Sequence, residues 1–417
     1  MRHFLSKIYA SYDLNANDRM VYFMGMRFRL RKSKQKRKQS HSSKELEVSA
    51  PIQKKKILFR SYAEGFSGNP KYIALEIIRR KLPYDLVWII DKEEFRHISE
   101  FPSEIRLEIA GSEKSFQEAV SSAIWIDDSN RRYLLDRGIR KREGQIYLQT
   151  WRGSFGIKKF GMERHNMNEK TVSRAMEDLA QVDFFISHSE WESEFYKRVF
   201  QADDRQVLLM GHARNDILLS DDSKCIREGV FSKLGLSTEK KLLFYAPTLS
   251  ENRGRSAFNL NYDNLKSALE RSMGGEWVIA ARMHMQGRRR NFLPKKDYLI
   301  DVSHYGDNQE LLVAADALIS DYSSIIFDFV LTGKPAFLYV ADRSSYEWTR
   351  GLYYPLEEAP FPLAETSTQL CSHIEHYESA LYRSKIEEFL EGKGNIEDGR
   401  AASRIVDFIE KLLSDSY

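Results

Sequence analysis

One turn in the chain has residue types that suit the binding of phosphate. Asp321, Ser323 and Ser324 lie between an apolar run at 317–319, which predicts a short strand, and a segment at 325–331 that predicts a helix. The first turn of a helix has N–H groups without partners and a partial positive charge, so two hydroxyls there would form a phosphate cradle. An ordinary capped helix is the equal alternative, because aspartate and serine are common capping residues.

Polar residues follow five predicted strands in the same manner. Ligands of open α/β sheets bind beyond the carboxyl ends of the strands, so this placement predicts a cleft between two halves of the chain. A structural role explains any one of these clusters more easily than all five. The clusters are Trp151, Arg152 and Gly153; His212, Arg214, Asn215 and Asp216; Thr248; Arg282 and His284; and Asp321, Ser323 and Ser324.

The elements that position these residues alternate between strand and helix patterns. Strands are predicted at 56–61, 86–91, 123–126, 146–151, 184–187 and 207–211, and the rhythm begins again at 242–246, 277–282, 298–301 and 317–320. Such alternation is typical of parallel sheets with helices on both faces. We therefore predict an α/β protein with two Rossmann-like halves joined near 217–240, although no GxGxxG fingerprint is present.

Composition favours a soluble enzyme of two domains. The chain has 417 residues, of which 42% are hydrophobic and 30% are charged. No apolar run reaches the roughly 18 residues of a membrane helix, and the start, MRHFLSKIYASYDLNAND, lacks the features of a signal peptide. Cys225 and Cys371 lack the spacing of metal ligands, so we expect reduced thiols in a cytoplasmic protein, with no metal and no cofactor.

A basic segment near the N-terminus predicts contact with an anionic membrane surface. Residues 27–38, RFRLRKSKQKRK, include eight basic residues and no acidic one, so the net charge of +4 hides a mildly acidic remainder. Aromatic residues precede this segment, a combination that suits the cytoplasmic leaflet. A solubilising tail with a linker at 39–49 is the alternative. The acidic remainder and the lack of a recognition motif argue against nucleic acid.

Eight sequence blocks together have a characteristic order. They are SGNPKYIALEIIRR, YLQTWRGSFGIKKFG, GHARND, LLFYAPT, ARMH, ISDYSSIIFDFVLTGKP, RGLYYPLEE and DGRAASR. In wording and order they resemble the CDP-glycerol glycerophosphotransferases, which build polyol phosphate chains of the teichoic-acid type. The blocks cover nearly everything after about Lys54, and their collinearity is stronger evidence than any one of them.

The resemblance implies a GT-B transferase, with two Rossmann-like domains that face a central cleft. It implies a basic tail and linker over 1–53, an acceptor domain over 54–220, a CDP-polyol-binding domain over 221–395 and a C-terminal helix over 396–417. The implied donor is a CDP-polyol, CDP-glycerol above all. A hydroxyl of a lipid-linked or glycan acceptor attacks the phosphate that carries the polyol, and CMP leaves. The product would be a cell-wall or capsule polymer.

The resemblance also implies roles for single residues. Ser323, Ser324 and Arg350 would hold the donor phosphates, since hydroxyls and a guanidinium suit phosphate. His284 is the first candidate for the base that accepts the proton of the acceptor hydroxyl. The other substrate-binding candidates are Asp321, Arg282, Thr248, Arg214, Asn215 and Gly153.

Arg152 is the main departure from the family pattern. The family reads QTWHG here, and its histidine is the expected base, whereas this chain reads QTWRG. Arginine cannot accept a proton, so another group acts, the acceptor differs, or activity is lost. His165 and His188 are candidate replacements, and Arg152 itself would suit an anionic acceptor. Smaller departures are Met285, Ala213 and Phe361.

Three functions stay open from the sequence. The first is an active polyol phosphate transferase at the cytoplasmic face of a membrane. The second is a catalytically impaired relative that binds nucleotide or glycan within an assembly complex. The third is a GT-B glycosyltransferase that uses a nucleotide sugar. The sequence does not distinguish glycerol from ribitol, and it does not name the acceptor.

Overall fold

The computed structural model describes residues 18–23, 26–31, 50–62, 65–160, 163, 169–248, 260–283 and 293–414. Two units divide the chain, Met1–Ala50 and Pro51–Tyr417. Both parallel sheets and the described residues of the site belong to the second unit. Among the described residues, no helix combines the length and apolar character needed to cross a bilayer.

The first unit contains a hairpin. Strands β1 (Asp18–Phe23) and β2 (Met26–Arg31) pair antiparallel. Charge alone predicts an unstructured basic tail here, but MRFRLR alternates apolar and basic residues, and a period of two favours a strand. The rest of the basic segment, 32–38, lies outside the described residues.

Seven parallel strands form the first sheet, in the spatial order β5-β4-β3-β6-β7-β8-β9. All its neighbouring strands are parallel. The strands are Gln53–Arg60 (β3), Asp85–Ile90 (β4), Ile105–Ile109 (β5), Ser122–Asp127 (β6), Ile146–Gln149 (β7), Phe184–Ser187 (β8) and Val207–Leu209 (β9).

Six parallel strands form the second sheet, in the order β12-β11-β10-β13-β14-β15. The strands are Lys241–Ala246 (β10), Trp277–Ala281 (β11), Leu299–Asp301 (β12), Ala317–Ser320 (β13), Ala336–Tyr339 (β14) and Leu363–Ala364 (β15). Each sheet reverses its strand order once, between β3 and β6 in the first and between β10 and β13 in the second. These reversals are the topological switch points at which doubly wound sheets bind ligands, and the predicted α/β fold with two Rossmann-like halves is confirmed.

Helices connect the strands and cover the sheets. In chain order they are Gly68–Arg79 (α1), Glu113–Ser121 (α2), Arg132–Leu135 (α3), Glu169–Leu179 (α4), Glu190–Val199 (α5), Ser223–Leu234 (α6), Tyr262–Met273 (α7), Asn308–Ala314 (α8), Ile325–Phe329 (α9), Arg343–Arg350 (α10), Ser367–Glu375 (α11), Ser379–Gly392 (α12) and Ala401–Ser414 (α13). Short 3-10 helices lie at Lys92–Glu100, Asp204–Gln206, Ala213–Leu219, Val330–Thr332 and Leu356–Glu358.

The central strands are apolar on both faces because helices cover both. In β3, Ile57, Leu58 and Phe59 are all fully buried, although neighbours in a strand point to opposite faces. Parallel sheets of this kind give continuous apolar runs rather than alternation. These runs explain why the sequence predicted the inner strands well.

Two segments cross from one half to the other. Each packs in the core of one half, although its neighbours in sequence belong to the other half. Phe155 follows the last strand residue of β7 by a few positions, yet it packs against Phe327 and Phe389 in the core of the second half. Helix α13, at the C-terminal end of the described chain, contributes Ile405 and Ile409 to the core of the first half. The two halves are therefore interlocked.

The helix that follows the Asp321–Ser324 turn is shorter than its apolar pattern predicts. Helix α9 ends at Phe329, and the chain tightens into a 3-10 turn over Val330–Thr332. Gly333 follows with a φ of 66°, a left-handed conformation that glycine adopts at low cost. Strand β14 then begins at Ala336.

Helix α13 provides a test of this packing. Ile405→Ala should lower the free energy of unfolding by about 2–5 kcal/mol, because Ile405 is fully buried and the change leaves a cavity. Leu381→Ala is the matched control, since the Leu381 side chain is 54% exposed. Equal losses for the two variants in urea denaturation would contradict the docking of α13 in the core.

Candidate active site

A cavity of about 530 Å³ lies between the two halves, beside the carboxyl ends of the strands. Residues of both halves line it, so neither half forms it alone. The first half contributes Tyr62, Ser67, Gly68, Asp128, Trp151, Arg152, Gly153, Trp191, Glu192 and Arg214, and the second contributes Thr248, Gln309, Ser323, Ser324, Asp328, Tyr346, Arg350 and Tyr353, among others.

The structure brings most of the described candidate residues to this cavity. The candidates on its wall are Arg152, Gly153, Arg214, Thr248, Ser323, Ser324 and Arg350. Asp321, Asn215 and Arg282 are not on the wall. His165 and His284 lie outside the described residues, so their assignment as bases stays a prediction.

The Ser323–Ser324 turn lies at the switch point of the second sheet. Ser324 precedes α9, and its side chain makes no capping hydrogen bond to that helix. The hydroxyl faces the other half, because a Cβ added to Gly153 would lie 3.7 Å from Ser324 Oγ. The turn thus presents a hydroxyl to the cavity opposite Gly153, where a larger side chain would reduce the space.

Asp321 supports the wall from behind. It is 1% exposed, and it accepts a hydrogen bond of 2.7 Å from the Thr248 backbone N–H and another from the Thr248 hydroxyl. These bonds join the ends of β10 and β13 across the switch point. Asp321 positions Thr248, and Thr248 reaches the cavity, while a direct contact of Asp321 with substrate stays a prediction.

Arg214 and Asp328 form a buried ion pair on the cavity wall. Arg214 Nε donates to Asp328 Oδ2 at 3.0 Å, and its Nη2 donates to Ser154 Oγ at 2.9 Å. Ser154 in turn donates to Asp328 Oδ1 at 2.5 Å. Burial acts to raise the pKa of Asp328, but the Arg214 guanidinium outweighs it, so the pKa lies below its usual value and the carboxylate is ionised.

Asn215 belongs to the same network but not to the cavity. Its Nδ2 donates to Glu397 Oε1 at 2.9 Å, and its Oδ1 accepts from Gln309 Nε2 at 2.9 Å. Both ends of the amide are therefore occupied by protein groups. Asn215 is 1% exposed, and its contact with substrate stays a prediction.

Arg282 lies away from the cavity as well. It follows β11, and its Nη1 donates to the backbone oxygen of Tyr305 at 2.6 Å. The strand-end rule placed Arg282 at the correct edge of the sheet, but β11 is one strand from the switch point. That lateral distance explains why its side chain does not reach the wall.

A buried cluster of two histidines and a glutamate lies behind the first-half wall. His188 Nδ1 is 2.7 Å and His212 Nε2 is 3.1 Å from Glu192 Oε2, and the two imidazoles stack with centroids 4.5 Å apart. Burial lowers the pKa of His212 to about 4, so this ring is neutral near pH 7. Burial acts in the same direction on His188, but the Glu192 carboxylate outweighs it and raises the pKa.

These three residues are also the described group whose ligand atoms are close enough for a metal, all within 4.8 Å of one another. Each is already engaged with another member or with a neighbour: His212 Nδ1 lies 3.3 Å from Ser154 Oγ. Stacked rings that share one carboxylate oxygen suit a hydrogen-bonded cluster better than the tetrahedral arrangement of a zinc site. His188, a candidate base in the sequence, is thereby held 1% exposed.

Arg152 faces the cavity from the first half. Its guanidinium lies 3.9 Å from the centroid of the Tyr62 ring and 4.8 Å from that of Trp151. Its Nη1 donates to the backbone oxygen of Asp128 at 2.9 Å. Contacts with two aromatic faces and a carbonyl keep the positive charge at the wall, where it suits an anionic ligand.

Asp128 is a wall residue that the sequence reasoning missed. Burial, and after it the charge of Asp127, raises the pKa of Asp128 to about 7, with Arg152 acting in the opposite direction. A signal was present, because Asp127 and Asp128 follow the predicted strand at 123–126 as the other clusters follow theirs. Glu192 and Asp328 were also missed; they lie on helices, where no strand-end rule applies.

Comparison with known proteins shows which family this chain is similar to. Residues 42–411 match the sequence model of the family described as CDP-glycerol:poly(glycerophosphate) glycerophosphotransferase. A teichoic acid poly(glycerol phosphate) polymerase of Bacillus spizizenii is 28% identical over 373 residues, which are 86% of this chain and 92% of the relative. The corresponding polymerase of Staphylococcus epidermidis is 26% identical over 383 residues, 87% of this chain, but the chain spans only 52% of that relative's length.

Solved structures give the same assignment. The wall teichoic acid polymerase TagF is 26% identical, with a TM-score of 0.77 over 88% of this chain and 90% of its own. A TagF variant soaked for 15 minutes with CDPG matches with a TM-score of 0.77 as well. The match over most of the chain, in sequence and in fold, shows that this protein belongs to the CDP-glycerol:poly(glycerophosphate) glycerophosphotransferase family.

Proposed function

We propose that this protein transfers glycerol phosphate from CDP-glycerol to a hydroxyl of a polyol phosphate or glycan acceptor, with release of CMP, in the synthesis of a cell-envelope polymer. One observation carries the proposal. In a chain of this family, hydroxyls and a guanidinium from the second half share one cavity with Arg152 and Asp128 from the first. Such a cavity has room and charge for a donor and an acceptor together.

The donor would bind against the second half. Ser323 and Ser324 supply hydroxyls at the switch point, and Arg350 supplies a guanidinium at the end of α10. Phosphoryl transfer depends mostly on neutralising charge and on alignment, which these groups can provide. The soak of a TagF variant with CDPG supports a CDP-linked donor. The proposed reaction requires no cofactor, and the CDP-linked compound is its donor substrate.

The acceptor would approach from the first half. Its hydroxyl oxygen attacks the phosphorus that carries the glycerol, the bond to the bridging oxygen breaks, and CMP leaves with that oxygen. Arg152 would bind a phosphate of the acceptor, since a guanidinium at the wall suits an anionic chain. This role would give Arg152 a function at the position where the family pattern has histidine.

Because Arg152 cannot accept a proton, it also favours a second candidate function. In that case the protein binds nucleotide but transfers glycerol phosphate poorly. An assay of CMP release from CDP-glycerol, with a lipid-linked glycerol phosphate oligomer as acceptor, separates the two. A parallel binding screen of CDP-glycerol, CDP-ribitol and a UDP-sugar tests the donor. Release of CMP that depends on the oligomer supports transfer, whereas binding without release supports the impaired relative.

The basic segment suggests where the reaction takes place. Its eight positive charges would attract the protein to the anionic cytoplasmic leaflet, with a contribution of about 1 kcal/mol for each residue near the surface. A lipid-linked acceptor would lie at that surface. We therefore propose a peripheral location on the inner face of the cell membrane.

The donor site is tested by Arg350→Ala. Loss of a charged hydrogen bond to phosphate should weaken binding of CDP-glycerol by about 1.5–3 kcal/mol in calorimetry. Arg343→Ala is the matched control on the same helix, because Arg343 pairs with Glu347, Glu357 and Glu365 away from the cavity. Unchanged affinity in Arg350→Ala would remove Arg350 from the donor site.

The membrane contact is tested by deletion of residues 1–38. The truncated protein should no longer sediment with vesicles that contain phosphatidylglycerol, and binding of the full chain should fall as salt is added. A full chain with the basic residues of 27–38 changed to glutamine separates charge from the loss of the hairpin. Sedimentation of the truncated protein with the vesicles would place the contact elsewhere.

A further inference from the structure

Asp128 lies where a reacting group is best placed in this fold. It directly follows β6, next to the end of β3, and the reversal of strand order in the first sheet falls between these two strands. Ligands of doubly wound sheets bind at this point. Asp128 is only 2% exposed, yet it lines the cavity that both halves form.

The neighbouring chain holds the Asp128 carboxylate in one orientation. Oδ1 accepts from the Tyr62 backbone N–H at 2.6 Å, and Oδ2 accepts from Ser61 Oγ at 3.3 Å. Gly68 makes room for it, because a Cβ there would lie 2.2 Å from Oδ2, and its φ of +70° also favours glycine. A carboxylate built in this way is preorganised rather than a loose surface group.

The other acidic groups on the wall are committed to cations or imidazoles. Asp328 is paired with Arg214 at 3.0 Å and Asp307 with Lys71 at 2.7 Å. Glu192 accepts from His188 at 2.7 Å. Burial acts to raise the pKa of Glu192, but the two histidines outweigh it and lower the pKa. Asp328 and Glu192 are therefore poor proton acceptors near pH 7, and the Asp307 carboxylate is held by Lys71.

We propose that Asp128 is the general base of the transfer, in place of the histidine that this chain lacks at position 152. The assignment rests on the proposed function. The acceptor O–H bond breaks, its proton goes to Asp128 Oδ2, and the acceptor oxygen bonds to the phosphorus that carries the glycerol. The bond from that phosphorus to the bridging oxygen breaks, and CMP leaves with the electron pair.

The charges around Asp128 suit this role. Burial and Asp127 raise its pKa to about 7, while Arg152 and Arg214 act to lower it. A base whose pKa lies close to the working pH balances the ionised fraction against the strength of proton transfer. Tyr62, Ser61 and Gly68 complete the surroundings of the carboxylate.

The first test is the turnover of Asp128→Asn in the full chain, measured as CMP release from CDP-glycerol with a lipid-linked glycerol phosphate oligomer. We expect kcat to fall about 10²–10⁴-fold, the usual range for loss of a general base, with unchanged affinity for CDP-glycerol in calorimetry. Asp178→Asn is the matched control: burial raises the pKa of Asp178 to about 7 as well, but this residue is not on the cavity wall. It should keep wild-type turnover.

Stability gives a readout that separates misfolding from lost chemistry. A carboxyl whose pKa rises on folding binds a proton in the folded state that the unfolded chain has lost, so it destabilises the protein as the pH rises from about 4 to about 7. The variant lacks this destabilisation. The difference in melting temperature, Asp128→Asn minus wild type, should therefore be more positive at pH 8 than at pH 5. If Asp128→Asn is less stable at both values, the pH profile decides, because its variants keep Asp128.

The pH profile supplies the second test. On the acid side of the pH profile, kcat/KM of wild type should decrease with a midpoint near pH 7. This acid limb should move to higher pH in Arg152→Gln, because that change removes a cation that favours the carboxylate. Arg152→Lys keeps the charge and should leave the limb in place. Loss of the limb in His284→Ala would instead assign the base to His284 and overturn the proposal.

Rescue is the third test. Arg152→His in the Asp128→Asn background places an imidazole beside the vacant base, and it should recover turnover at least tenfold over Asp128→Asn alone. Turnover of Asp128→Asn within threefold of wild type overturns the role of Asp128 and leaves the proposed transfer intact. No CMP release by wild type overturns the proposed function, and with it the assignment of the base.

Discussion

The ion pair between Arg214 and Asp328 is the interaction on which the cavity depends. Arg214 belongs to the first half and Asp328 to α9 of the second, and their side chains are 5% and 6% exposed. Burying two charges is costly, so such a pair adds little net stability, but loss of one partner leaves an uncompensated charge that costs about 3–5 kcal/mol. The pair therefore specifies how the two halves meet more than how tightly they do.

Further groups extend this contact across the boundary. Ser154 bridges Arg214 and Asp328 with its single hydroxyl, and it also lies 3.3 Å from the neutral His212 ring. Lys71 adds a second ion pair across the boundary, to Asp307 at 2.7 Å. Since these contacts join residues of both halves beside the cavity, they hold its walls in one relative position.

Three of the carboxylates that line the cavity have different environments as a consequence. Asp328 has a guanidinium partner and Glu192 has two imidazoles, and each pKa lies below its usual value. Asp128 has two backbone or hydroxyl donors and a second aspartate beside it, so burial prevails and its pKa rises to about 7. Groups of one chemical type can take separate roles when their surroundings move their pKa values apart.

The sequence by itself determined the fold and the edge of each sheet that carries the chemistry. Buried parallel strands give apolar runs such as 57–59, and clusters of polar residues mark the turns at their carboxyl ends. Ser323, Ser324 and Arg152 were found in this way, because strand ends are local features. The hairpin at 18–31 is also a local feature. Its alternation of apolar and basic residues was overlooked because the basic residues were interpreted as a charged tail.

Only the tertiary structure decided which of these residues share a wall and which support it. Asp321 and Asn215 have the residue types of a binding site, yet Thr248 and Glu397 occupy their side chains. Burial and the charge of Asp127 raise the pKa of Asp128, and the residues that contact its carboxylate include Tyr62, which is distant in sequence. Burial, partners and pKa depend on residues that are far apart in the chain, so no local pattern contains them.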